Sequence, residues 1–399
     1  LAARRLNRLF WTLAILLLAF FALKTFVGDV YPVTSSSMEP TIRAGERVLV
    51  LYDDSPPERF DLVVLTRGDG TYVKRVVGLG GETLTIRTGD LYIGDRDSTV
   101  LPPDAPRPAL VPVFDDRLHD VAEHFSMGGT QVQPWKLVDG AWEVDARELE
   151  RESAAGLLRL HKGVHDDVID ERGRVEYKRE PVGDVAVECS FRALELGGRM
   201  RLVLVEQGDT FQFSLELGAE GEAAAVITRV TKSDLRTSET LAEGTLPFAV
   251  GRWTHVRFSN RDNHLRVEYG DEPRVLEASY ARNHLHPKDT FGEGFSLGER
   301  VKLGGEGCLL QFKDIRVGRD LHYTQRGEHG TARPARIGSG QLFVLGDNSA
   351  DSSDSREWGP IDAGAVRGRA VWVVWPPAAI RRLVGAIPGA PGPGGGAEW

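Results

Sequence analysis

The segment "LFWTLAILLLAFFALKTFV", residues 9 to 27, constrains this chain more than any other, being apolar except at Thr12, Lys24 and Thr25. As a helix it is at the short end of what spans a bilayer, and apolarity all round makes a buried soluble helix the weaker choice. Arg4, Arg5 and Arg8 precede it with no acidic residue among them. By the positive-inside rule that asymmetry puts the N-terminus in the cytoplasm and the chain beyond residue 28 outside. No A-x-A-like cleavage site follows, so a retained anchor over residues 1–28 is expected rather than a removed signal peptide.

The chain beyond the anchor reads as mainly β. "RVLVLY" (47–52), "FDLVVLT" (60–66), "YVKRVVGL" (72–79), "ETLTIRT" (82–88) and "DLYIGD" (90–95) are β-branched runs punctuated by Gly, Asp and Pro. "LPPDAPRPALVPVFDD" then breaks regular structure through repeated proline, so residues 101–140 are expected to be a linker and irregular entry. A second strand-rich block follows over 141–335. In it Val185, Val187, Cys189 and Phe191 alternate with Ala186, Glu188 and Ser190, the pattern of a sandwich strand with one face in a core. Strands resume within 336–378, and the Gly/Pro-rich stretch 379–399 is expected to be a disordered tail.

Composition excludes several functions. A net charge of -9 without a basic stripe argues against a nucleic-acid partner. The two cysteines, Cys189 and Cys308, are too few for a disulfide scaffold, and the ten histidines are scattered without ligand spacing, so neither metal nor other cofactor is expected. Cys189 and Cys308 each share a face with apolar neighbours and are expected in the sandwich core, as free thiols or as a pair.

Three separated stretches remain: "SSSMEPT" (35–41), "YVKRVVGLGGE" (72–82) and "LGDNSADSSDSREWGPI" (345–361). A serine becomes a nucleophile when an adjacent base takes its proton, and a lysine can be that base only when burial keeps it neutral. Pleating puts Tyr72, Lys74 and Val76 on one strand face and Arg75 on the other, so the two cations meet different surroundings. In this order, behind an N-terminal anchor, the stretches resemble the type I signal peptidases of bacteria. The nucleophile motif S-x-S-M-x-P-T, the second motif K-R-[IV]-[VIL]-G-L-x-G-[DE] and a third built on G-D-N, S-x-D-S-R and Trp-Gly are all matched. "ERFDLVVL" (58–65) is similar to a further family strand, with Phe60 in place of a glycine, and "GDNSADS" departs from the commoner "GDNRDNS", with Ala350 replacing a carboxylate.

The resemblance implies Ser37 as nucleophile, Lys74 as general base, and the Ser37 N–H with the Ser35 hydroxyl as oxyanion hole. It implies Ser352 as the hydroxyl that orients the lysine, and Asp347, Asp354 and Arg356 as supporting polar residues. "DVYPVTS" (29–35) is expected to leave the membrane extended and to take a translocated peptide by strand addition. Val33, Thr34, Met38, Tyr72 and Val73 form the expected substrate contact. The implied activity is removal of signal peptides from preproteins after a small-x-small motif, by a single-pass enzyme of the cytoplasmic membrane acting on the exported side.

The family's two catalytic segments, here 29–100 and 336–378, are separated by an unusually long insertion. The block "GRWTHVRFSNRDNHLRVEYGD" with "LLQFKDIRVGRDLHY" resembles a concanavalin A-like jelly roll of the laminin G type. Such an insertion fits a cell-envelope glycan or a protein partner. A rival reading has a catalytically decayed peptidase domain that only displays this jelly roll.

Overall fold

The computed structural model describes residues 10–12, 27–52, 55–94, 107–127, 134–149, 156–161, 163–166, 168–169, 175–176, 180–206, 208–231, 234–281 and 300–383. The apolar run at 9–27 lies almost wholly outside them, and among the described residues no helix is long and apolar enough to cross a membrane. The chain forms two compact units, one from residues 1–109, 167–176 and 321–398, the other mainly from 110–166 and 177–320.

The first unit is knitted from both ends of the sequence. Its main sheet runs Gly28–Pro32, Arg47–Leu51, Val366–Trp375, Leu62–Arg67, Gly70–Gly78, Gln341–Leu345 and Ile361–Asp362, with every pairing antiparallel. Val366–Trp375 lies between two N-terminal strands, and Gln341–Leu345 pairs directly with the strand that carries Lys74. A small sheet of Ala335–Arg336, Thr83–Arg87 and Asp90–Ile93 completes the unit. Alternation decides the faces. Val73 packs with Met38, Val48, Leu62 and Val64, while Tyr72 and Val76 pack with Val63, Leu65 and Val344. Each fully buried Val or Leu contributes roughly 1.5–3 kcal/mol, which fixes the register because a one-residue slip would expose a whole face.

The second unit is a two-sheet sandwich. One sheet runs Arg274–Ser279, His264–Tyr269, Thr254–Arg261, Val185–Ala193, Leu309–Arg319, Ala141–Asp145 and Trp135–Val138, and Val111–Asp115 also pairs with Leu309–Arg319. The other runs Asp234–Phe248, Gly221–Thr231, Asp209–Glu216, Arg199–Glu206, Val301–Glu306, Leu157–Leu160 and Phe125–Met127. Val185, Val187, Cys189 and Phe191 meet Leu202, Leu204, Phe211 and Phe213 in one core. Cys189 and Cys308 are both buried there as free thiols.

The expected boundaries need correcting in three places. Residues 101–140 are not merely a linker, since Val111–Asp115, Phe125–Met127 and Trp135–Val138 are sandwich strands; proline at 112 is tolerated because that strand joins at a register shift. The host unit resumes at Leu321 rather than near residue 336. The C-terminal stretch orders past residue 379: Arg381–Arg382 pairs with Val366–Trp375, Leu383 is buried, and Arg381 grips Glu46 through two contacts of 2.8 Å. That basic pair contributes a sheet edge and an ion pair where composition alone indicates a disordered Gly/Pro-rich tail; the remainder of that stretch, 384–399, lies outside the described residues.

Candidate active site

The turn that bears the three serines is a short 3-10 segment, Ser36–Met38, anchored by its last residue. Met38 is 1% exposed and inserts among Val33, Ile42, Val48 and Leu62, while Ile42 N–H donates to Met38 O at 2.9 Å. From the other half of the site, Asn348 N–H donates to Ser37 O at 3.1 Å and Asn348 Nδ2 to Ser36 O at 3.1 Å. The serine turn is thus held from below by packing and from the side by the "GDN" loop.

Lys74 sits mid-strand on Gly70–Gly78, opposite Val63, and is 1% exposed. Its Nζ lies 2.8 Å from Ser37 Oγ and 3.0 Å from Ser352 Oγ. Ser35 Oγ is 3.2 Å from Ser37 Oγ. Ser36 Oγ instead donates to Asp351 Oδ2 at 2.7 Å, so consecutive serines face different groups. Burial pushes the Lys74 amine down to about 8, because removing water disfavours the ammonium. Asp354, Asp347 and Asp351 work against that shift and Arg356 with it, and burial prevails.

The surrounding charges are paired off among themselves. Arg75, on the opposite strand face, donates from Nε to Asp347 Oδ1 at 2.8 Å and from Nη2 to Asp347 Oδ2 at 2.6 Å. Its Nη1 donates to Phe60 O at 3.0 Å. Phe60 has φ +71, a left-handed conformation that favours glycine and that L-residues enter at a cost on the order of 1 kcal/mol; the buried ring, 3% exposed, offsets that cost. Arg356 donates to Asp354 at 2.9 and 2.7 Å, and Gly346 N–H donates to Asp354 Oδ2 at 3.0 Å. Gly346 must be glycine, since a Cβ there would stand 2.2 Å from Ser352 Oγ and 2.5 Å from Ser37 O.

Of the residues read as substrate contacts, Thr34 is exposed, and Tyr72 and Val73 are half-buried. Val33 and Met38 are buried in the core, 5% and 1% exposed, so their side chains hold the turn rather than line an open groove. Tyr72 packs edge-on to Trp358 with ring centres 5.3 Å apart. Sequence reasoning missed Thr324 and Ser349. Arg356 Nη1 donates to Thr324 O, Thr324 Oγ1 and Ser349 Oγ at 3.0, 2.8 and 2.6 Å. Thr324 gave no signal because it lies in the segment assigned to the insertion. Ser349 stands where the commoner motif has arginine, and its hydroxyl receives Arg356.

A model of the family "Signal peptidase, peptidase S26" matches residues 6–136 and 300–375. The chain belongs to that family, with a long segment inserted between the two matched parts. It is 37% identical over 91 residues to a signal peptidase I of Streptococcus pneumoniae, a match spanning 22% of this chain and 44% of that protein. It is 33% identical over 131 residues to a signal peptidase I of Bacillus caldolyticus, spanning 31% of this chain and 68% of that protein. The chain thus spans under half of the Streptococcus pneumoniae relative's length. Among solved structures, a carbohydrate-binding module from Bacillus subtilis aligns over 49% of this chain and 95% of its own, at 10% identity and a TM-score of 0.30. A likeness that low carries no argument.

Proposed function

We propose that this chain is a serine endopeptidase that removes signal peptides from exported preproteins with a Ser37/Lys74 dyad. The observation that carries the reading is the 2.8 Å approach of a buried lysine amine to a serine hydroxyl. A neutral Lys74 accepts the Ser37 proton as Oγ attacks the scissile carbonyl carbon. The carbonyl oxygen, now negative, takes hydrogen bonds from the Ser37 N–H and the Ser35 hydroxyl; losing one such donor costs typically about 2.7–4 kcal/mol of transition-state stabilisation. The Lys74 ammonium then protonates the leaving amine, the C–N bond breaks, and an ester on Ser37 remains. Lys74 next takes a proton from water, whose oxygen attacks that ester and restores Ser37. Ser352, 3.0 Å from Nζ, aims the amine along this path.

Substrate docking is assigned to strand addition beside residues 29–35. Gly28–Pro32 is the terminal strand of its sheet in the described residues, which leaves one backbone edge for an incoming peptide. Thr34, Tyr72 and Val73 are the side chains available to it, and small residues at alternate positions are the expected specificity. The apolar run at 9–27, with its basic flank, supplies the membrane anchor in this reading. An exposed apolar surface supports a neighbouring bilayer: Val30 pairs with Leu49 and Leu49 with Trp372 across three strands, and Trp372, Trp375 and Ile380 are 39%, 52% and 56% exposed.

The test is incubation of the purified, detergent-solubilised protein with a preprotein, followed by N-terminal sequencing of the product. A single new N-terminus after a small-x-small site is expected. Cleavage by a Lys74→Arg variant at the wild-type rate would sink the dyad, because arginine stays protonated.

A further inference from the structure

The Trp-Gly pair that closes the third motif takes no part in the dyad chemistry, yet Trp358 is tied to both segments that hold Lys74. The dependence begins at Ser352. Among the described residues neither Ser352 nor Ser353 makes a main-chain hydrogen bond. They lie between a turn closed by Asp351 N–H on Asn348 O at 3.0 Å and the short helix Ser355–Trp358, which Asp354 caps. Their amides are left to solvent, so side chains set where this dipeptide sits. Ser352 Oγ stands 3.0 Å from Lys74 Nζ, and Ser353 Oγ donates to Glu357 Oε2 at 2.6 Å. The remaining tether is the indole N–H: Trp358 Nε1 donates to Ser353 Oγ at 2.8 Å.

The other side of the indole is fixed to the lysine strand. Trp358 packs against Tyr72 with ring centres 5.3 Å apart and planes at 62°, and Tyr72 lies two residues before Lys74 on Gly70–Gly78. Tyr72 is itself seated against Gly70, where a Cβ would stand 2.7 Å from the phenol ring. Arg67, which pairs with Gly70 across the strands, brings its guanidinium carbon 4.8 Å from the centre of the Trp358 ring. An edge-on ring contact and a cation over the ring face each favour one orientation of the indole. Neither uses its N–H, which is therefore free to hold Ser353. One half-buried side chain thus spans from the strand of the base to the residue beside Ser352.

We propose that Trp358 is a positioning residue for the Ser37/Lys74 dyad, fixing Ser352 over the Lys74 strand through Ser353; the proposal rests on the peptidase reading of that pair. Trp358 makes no hydrogen bond to Ser37 or Lys74 among the described residues, so its effect passes through the two serines. Displacing a reacting group by about 1 Å can cost about 10²-fold in rate, which gives a side chain outside the reaction path real leverage over it. The competing role for a half-buried tryptophan beside a peptidase site is a platform for substrate. The two roles move different constants: positioning changes kcat, whereas a substrate platform changes KM.

The experiment measures kcat and KM separately for the full chain in detergent on one preprotein. Trp358→Phe keeps a ring on Tyr72 and loses the N–H, and is expected to lower kcat about 3- to 10-fold with KM within about twofold of wild type. Ser353→Ala removes the acceptor and should give the same loss, with no further loss when the two are combined. Trp358→Ala is expected to lower kcat about 10- to 100-fold, as Ser352→Ala does, and to add less than about twofold in a Ser352→Ala background, because the residues act as one unit. Should Trp358→Ala fail to fold, the Trp358→Phe and Ser353→Ala pair gives the same test. Unchanged kcat in Trp358→Phe, a change in KM alone, or losses that multiply in the combined variants would each overturn the proposal. Wild type without any cleavage would instead overturn the peptidase reading and this proposal with it.

Discussion

Lys74 Nζ and Ser37 Oγ stand 2.8 Å apart, although the two residues come from a mid-sheet strand and from a turn anchored by Met38 in a different apolar cluster. Each partner is fixed by its own packing, so the contact does not depend on either side chain finding the other. If the pair is the proposed dyad, Ser37→Ala and Lys74→Met are each expected to lower preprotein cleavage by a factor on the order of 10³ or more. Lys74→Met has a second expected outcome: an unchanged or raised melting temperature, since it replaces a buried amine with an apolar side chain of similar volume. Loss of activity accompanied by loss of the folded state would point to a structural lysine instead.

The pH dependence follows from the Lys74 amine lying near 8 rather than its ordinary 10.5. In the proposed mechanism Lys74 acts in its neutral form, so kcat/KM should rise about tenfold per pH unit below about 8 and level off above it. The stability sign is set by the same group. Between about 8 and 10.5 the unfolded chain holds a proton that the folded one does not, so folding gains stability as pH rises through that window. The cost, on the order of 3 kcal/mol, is fully present below it. Melting curves of wild type and Lys74→Met should therefore converge as pH rises through the window, and parallel curves would contradict the shift. Ser352→Ala, which removes the 3.0 Å contact to Nζ, is expected to cut kcat about 10- to 100-fold with KM little changed.

Arg75 and Asp347 form a two-point ion pair with side chains 2% and 0% exposed. Removing one partner leaves a buried charge alone, so Asp347→Ala should cost about 3–5 kcal/mol in a urea titration. Replacing both, as Arg75→Met with Asp347→Leu, should recover much of that loss. A single variant as stable as wild type would mean that water reaches the pair.

Much of this site was legible because short-range patterns carried it. The alternation around Lys74 assigned Tyr72 and Val76 to one face, and the strand now puts them in one apolar cluster with Val73 in another. Alternation likewise gave the inward set Val185, Val187, Cys189 and Phe191. What escaped was long-range. Ser36 bonds Asp351 across the chain, and Thr324 receives Arg356 from a stretch with no motif of its own. The proline-rich run before residue 115 hid a strand, because proline forbids the interior of a ladder but not its irregular end. The glycine position held by Phe60 was visible as a departure, but its reason, a left-handed φ of 71, belongs to backbone geometry.

The insertion should be removable, and Thr324 decides where the cut falls. Within the first unit Gly89 forms an antiparallel bridge with Tyr323, and Tyr323 N–H donates to Gly89 O at 3.0 Å. The chain therefore re-enters this unit beside the hairpin Thr83–Arg87 and Asp90–Ile93, from which it departs. A Gly/Ser linker of about ten residues from Gly94 to Leu321 has the reach to close that gap, since an extended chain covers roughly 3.3 Å per residue; besides the second unit it removes residues 95–109 and 167–176 of the first, none of which supplies a residue of the candidate site. Ser37, Lys74, Ser352 and the residues supporting them all lie outside the excised stretch, and so do Thr324 and Gln325, whose Nε2 donates to Ile86 O at 3.1 Å. This variant is expected to fold and to cut at least one preprotein. A longer excision that rejoins at residue 336 deletes Thr324, leaving Arg356 without two of its acceptors, 3.0 and 2.8 Å away. That variant should be less stable by about 1–3 kcal/mol, the cost of leaving buried donors unpaired. Equal stability of the two would show that Thr324 contributes nothing to the site. A folded but inactive shorter excision, beside an active full-length control, would show that the inserted unit takes part in catalysis.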